Sequence, residues 1–313
     1  MARRLFTFVQ MELPWELGPA DGRYLLRTRG GPADGEPEHV VVLSTVGAER
    51  RRLLGGRSRT RRADSEPAKV PVARATIVDP VPLSAEGQAR AWLEQLDPER
   101  EALSAAGVLN RVLFAHRIAG AAPNIHEVAP VQALVLRAGF GEGEQVADGL
   151  WLDARELLLS HRRAGRRASV LRPQERLAVL LSGRGEALLC EELALRARLD
   201  LDWGRLALAA IELDRAYAAA LVELPGEGRR DLRERIAELA GLRPDVERAA
   251  RAALPATTPA SAIPTQATSS ALARDAGARI GTPDEPDERT IRRGLERLEA
   301  ALRARTATGF GSS

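Results

Sequence analysis

Residues 135–151, VLRAGFGEGEQVADGLW, form the stretch of this chain whose residue types and spacing come nearest to chemistry. Gly139, Gly141 and Gly143 alternate with other residues directly after an apolar run, the way phosphate-cradling loops begin. A dinucleotide fingerprint needs a strand, then G-x-G-x-x-G, then a helix whose N-terminal amides face the pyrophosphate. Gly139 and Gly141 fit, but Glu144 stands where the third glycine is required, and Asp148-Gly149 interrupts the helix that should follow. Glu142, Glu144 and Asp148 would repel a phosphate rather than bind it. The spacing of Val131, Leu134, Val135 and Ala138 instead predicts a helix over 130–138 opened by Pro130. On that reading Gly139 ends the helix with a positive φ, and the other glycines make a turn.

Two arginine clusters offer a different chemistry. Arg50, Arg51, Arg52, Arg57, Arg59, Arg61 and Arg62 lie close together with Gly and Ser between them, and Arg162, Arg163, Arg166 and Arg167 form a second group. Such arms neutralise phosphates and make binding salt-dependent. Neither cluster interleaves aromatic residues, so neither offers base stacking. The second cluster also has the acidic 142–156 segment as an alternative partner within the chain.

His39, His116, His126 and His161 form no H-x-x-x-H or H-E-x-x-H pattern, and each reads as structural. Cys190, the single cysteine, lies in an apolar helix with no sequence-local histidine and reads as core. It leaves no intramolecular disulfide, which fits a reducing compartment. No G-x-S-x-G or Walker pattern occurs. No catalytic set, metal or cofactor is therefore expected.

Composition sets the frame around these residues. Of 46 Lys and Arg only Lys69 is lysine, a bias that GC-rich coding explains as well as function does; with 43 Asp and Glu the formal net charge is only +3. Aromatics are 4% of 313 residues, so the core must be Leu, Ala and Val, the material of packed helices. The amino-terminal MARRLFTFVQMELPW alternates like a strand and makes a poor signal peptide, and no apolar run reaches membrane-spanning length. A cytoplasmic protein is expected.

The pattern along the chain predicts an α+β fold, mainly α. Residues 1–83 read as a small antiparallel β subdomain of four runs separated by turns, carrying an Arg-rich loop at 50–69. Pro71, Pro80 and Pro82 suggest that the fourth run is an edge strand. A helical domain follows over 84–254. Ser84 caps its first helix, and Asp97-Pro98-Glu99 opens the second. Further helices are expected at 173–181, 186–199, 203–224 and 229–253, with Leu206, Ala210, Leu213, Tyr217, Leu221 and Leu224 on one stripe. The segment 190–224 resembles one tetratricopeptide hairpin, but no second copy recurs at that period, so a repeat protein is not expected. Residues 255–285 are small, polar and Pro-rich and read as a disordered linker. An amphipathic helix closes the chain at 286–305, with Ile291, Leu295, Leu298 and Leu302 spaced 4-3-4 as in a coiled-coil seam.

That tethered helix is marginal alone and must dock on its own body, another copy or a different protein. The leading expectation is a non-catalytic interaction or regulatory protein docking a partner through 286–305, whose removal leaves the body folded. The alternative is a nucleic-acid-associated protein using the arginines at 50–62 and 161–167. The second alternative is a nucleotide- or metal-dependent enzyme using the 139–148 loop.

Overall fold

The computed structural model describes residues 4–27, 35–47, 71–159, 173–228, 230–254 and 286–308. The expected linker at 255–285 lies outside them. The chain divides into two compact units, 1–161 and 162–313, so the first two helices belong with the sheet rather than with the later helices.

In the first unit, strands β1 (Leu5–Leu13), β2 (Gly22–Leu26), β3 (His39–Val46), β4 (Val72–Val78), β5 (Val135–Glu142) and β6 (Asp153–Glu156) form one sheet in the order β2-β3-β4-β1-β5-β6. Every pairing is antiparallel. The sheet thus has two strands more than the amino-terminal runs alone provide. β1 pairs on both edges and is buried along most of its length, which is why LFTFVQMEL carries apolar residues on both faces. β4 is internal as well, paired with β3 and β1, which corrects the edge-strand expectation. Pro71, Pro80 and Pro82 all fall outside Val72–Val78 and remove no ladder hydrogen bond.

Helices α1 (Glu86–Gln95) and α2 (Pro98–Ala119) connect β4 to the start of β5 and cover one face of the sheet. Ser84 does not cap α1; Ala85 holds that position without a side-chain bond. Asp97 caps α2 as its sequence requires, accepting from the amides of Glu99 at 3.0 Å and Arg100 at 3.2 Å, with Pro98 in the first turn. Asp97→Ala is expected to cost about 1 kcal/mol, measured as a shift of the urea midpoint. Asn110, 1% exposed, donates to the Val128 carbonyl at 2.9 Å and accepts from the Val128 amide at 2.8 Å, tying α2 to the loop before β5.

The predicted helix over 130–138 is absent. A single 3-10 turn, Pro130–Gln132, gives way to β5, and Val131 and Leu134 of the supposed apolar face are exposed. Gly139 is a strand residue opposite Phe8 of β1 and Ala154 of β6, without positive φ.

The second unit is built from α3 (Pro173–Leu181), α4 (Leu189–Asp202), α5 (Leu206–Glu223), α6 (Arg230–Ala253) and α7 (Glu288–Thr308). Helices α4 to α7 share one apolar core of Leu, Ala and a few larger residues. Cys190 is a free, fully buried member of it, as the sequence suggested. The stripe read on 206–224 is the buried face of α5, where Ala210, Leu213 and Tyr217 are at most 1% exposed.

Candidate helix-docking site

Helix α7 starts where the sequence places it. Asp287 caps it, accepting from the Arg289 amide at 3.1 Å and the Thr290 hydroxyl at 2.7 Å. These bonds hold its carboxyl below the usual aspartate range. The apolar spacing then puts Ile291, Leu295, Leu298 and Leu302 on one face. Ile291, Leu295, Leu298 and Ala301 are 0% exposed, and Leu302 packs beside them. The partner of this seam in the structure is the chain's own bundle: α7 lies against α4, α5 and α6.

One residue sets how closely the helices approach. A Cβ on Gly294 would lie 3.1 Å from Leu213 and 3.2 Å from Val246. The missing side chain lets the Tyr217 hydroxyl donate to the Gly294 carbonyl at 2.9 Å, a buried bond from α5 to α7. Burial pushes the Tyr217 phenol above its ordinary value, so it remains a donor through the neutral range.

Ion pairs ring the groove. Arg198 of α4 donates to Glu299 at 2.8 Å, Arg297 meets Glu238 of α6 at 3.1 Å, and Arg305 meets Glu191 at 3.1 Å. Glu191 also receives Arg176 of α3 at 3.1 Å. Glu299 holds the Arg198 guanidinium above its ordinary pKa, more than offsetting its partial burial. These pairs are part-exposed, so their worth lies in orientation more than in stability.

The amino-terminal end of α4 is closed by a residue distant in sequence. Leu188 offers no side-chain acceptor, and Glu223 at the end of α5 takes its place. Its two carboxylate oxygens accept from the amides of Leu189 and Cys190, each at 3.0 Å. Partial burial pushes the Glu223 carboxyl up; the Cys190 and Leu189 amides, the Cys190 thiol and Arg305 together outweigh it and hold the group below its ordinary value. Burial and the neighbouring Glu223 push the Cys190 thiol far up, so it is no nucleophile. A carboxyl with a depressed folded pKa adds stability above its unfolded pKa and loses it as pH falls through the folded value. Glu223→Gln is therefore expected to reduce stability at pH 7 while flattening the acid side of the stability curve, read by urea unfolding between pH 7 and pH 3.

The other expected sites fare differently. Arg50, Arg51, Arg52, Arg57, Arg59, Arg61, Arg62, Arg162, Arg163, Arg166 and Arg167 all lie outside the described residues. In the glycine segment, β6 crosses the position where a Gly139 side chain would be, and Trp151 and Val146 close over Gly141. No helix follows: Gly143–Asp148 is a 3-10 turn ended by Gly149 at φ 90. This turn packs on the sheet face opposite α1 and α2, where Val146 joins Phe8, Val40 and Val78. Of the acidic side chains here, Glu144 pairs with Arg23 of β2. Gly139 and Gly141 thus serve close packing of the chain over its own sheet, whereas Gly143, at φ 64 with open space around it, makes the turn. Among the described residues, no group of three His, Cys, Asp or Glu side chains could hold a metal, and no helix is long and apolar enough to cross a membrane. No family model, curated protein or solved structure matches the chain.

Proposed function

We propose that this chain is a non-catalytic interaction protein of the cytoplasm whose C-terminal helix is an exchangeable element, docked on its own bundle until a partner competes for it. The observation that supports this reading is connectivity. Residues 203–205 join α4 to α5, whereas residues 255–285 separate α6 from α7. Long spans add little entropic cost to closing the bundle, so another amphipathic helix can take the place of α7 without straining the other connections. Released, it presents the seam Ile291, Leu295, Leu298 and Leu302 for coiled-coil pairing, and it leaves a groove matched to another amphipathic helix. A tether of this kind supplies an effective concentration of the order of millimolar, so a partner must bind well below that range to displace α7.

The test locks the helix in place. Arg198 and Glu299 are replaced together by cysteine, and capture from a host lysate is compared before and after the two thiols are joined by a bis-maleimide, whose reach suits a pair of long side chains that a disulfide does not span. A specific partner held by the unlinked chain and lost on cross-linking supports exchange. A partner held equally in both states, or none in either, overturns it. Nuclease treatment separates the second reading, a nucleic-acid-associated protein using the arginines at 50–62 and 161–167, because seven arginines crowd the first cluster. Capture that nuclease abolishes favours that reading.

A further inference from the structure

A crevice of about 190 Å³ opens between the helix layer and the sheet of the first unit. Val9 and Ile77 of the sheet and Val108 of α2 give it apolar walls. Its chemistry comes from four residues brought together from separate elements: His39 at the start of β3, Asp79 just after β4, Trp92 on α1 and Glu101 on α2. Among the described residues, no arginine or lysine lines it.

Of the two carboxylates, Asp79 is held by its own turn. Asp79 is fixed by its amide, which donates to Thr7 at 3.0 Å, and by the Val81 amide, which donates to Asp79 Oδ1 at 2.9 Å. Glu101 is only 24% exposed; its ion pair with Arg100, at 3.6 Å, is with a guanidinium that is itself 76% exposed and so screened by water. His39 adds no compensating charge at neutral pH. Burial pushes its imidazole below the ordinary value; Glu38 and Asp79 pull it up, and Arg111 pulls it down. Arg111 is itself engaged by Glu38 at 3.0 Å. The crevice is therefore anionic, partly apolar and walled by one indole.

We propose that this crevice is a binding site for a small organic ammonium ion, with Asp79 and Glu101 balancing its charge and Trp92 packing against its alkyl surface. An indole attracts a cation through its ring face, and alkylammonium groups lose less hydration than metal ions on entering an apolar cleft. The lack of a metal-holding ligand group among the described residues fits an organic rather than a metallic cation. The volume suits a ligand of only a few heavy atoms. The site is independent of helix exchange.

Choline is the probe, titrated into the full chain by calorimetry, with acetate and Mg²⁺ as counter-probes. Saturable choline binding is expected at about millimolar Kd, as suits so small a ligand. It should weaken at least tenfold in Asp79→Asn/Glu101→Gln, whose near-isosteric amides preserve packing, and in Trp92→Leu. Circular dichroism melts of both variants establish that they are folded. Absence of saturable binding, equal binding of acetate or Mg²⁺, or affinity unchanged in the folded amide variant would overturn the proposal.

Discussion

Leu295→Ala is expected to destabilise the helical unit by about 3 kcal/mol, and Leu295→Asp to unfold it. Leu295 is 0% exposed in a core shared by α4, α5, α6 and α7, and a buried leucine truncated to alanine loses its transfer free energy and leaves a cavity, together costing about 2–5 kcal/mol. The aspartate would add an unpaired charge to that space. Arg292 on the outer side of the same helix, half-exposed and paired with Glu288 one turn away, provides the control, and Arg292→Ala should change stability by less than about 0.5 kcal/mol. Trp203 is the single tryptophan of 162–313 and reports the unfolding by fluorescence in urea. The same geometry revises what truncation should do. Removing 286–308 uncovers Leu213, Tyr217 and Val246, so the shortened chain is expected to bind a hydrophobic dye and lose cooperative melting rather than remain folded.

Gly139→Val is the second large effect, expected at about 3 kcal/mol and confined to the sheet unit. A Cβ at Gly139 would lie 2.4 Å from the Asp153 carbonyl oxygen and 2.7 Å from the Ala154 Cβ. Both belong to β6, and backbone cannot give way as a flexible side chain does, so the strand must lift off. The readout is hydrogen exchange. The Leu152 amide, bonded to Phe140 at 3.0 Å, and the Leu157 amide, bonded to Leu136 at 2.8 Å, should lose protection while the β1–β4 ladder keeps it. Gly87→Ala is the contrasting case. Gly87 lies in α1 with open space where a Cβ would go, and alanine there should stabilise by about 0.5–1 kcal/mol.

Much of the second unit was legible because helices are specified locally. The 3.6-residue spacing and the helix-opening proline at Pro173 are each read within one or two turns, and the helices start within a few residues of where those signals place them. The buried stripe of α5 and the seam of α7 follow from the same periodicity. Their mutual contact does not, since nothing in either helix names which apolar face it meets across residues 255–285. The candidate site at α7 was thus half visible: its residues from spacing, its occupant only from packing.

The sheet shows the opposite balance. Residues 131–138 carry a helix-like spacing inside a short apolar run, and such runs are ambiguous when the deciding interaction lies elsewhere. Here it lies in β1, more than a hundred residues earlier, whose free edge pairs with β5 from Leu5–Glu142 to Glu12–Val135. Gly139 read as a helix stop for the same reason: a glycine required by close approach looks, in one dimension, like a glycine required by positive φ. The crevice of His39, Asp79, Trp92 and Glu101 left no local signal, because its four residues come from four elements and share no spacing. By itself the sequence determined the class, the helices and the amphipathic face of the last one, since these depend on neighbours a turn apart. Which strands pair, what covers the last helix and which charged groups meet in one crevice were decided only in the tertiary structure, because those energies arise between residues that no local period relates.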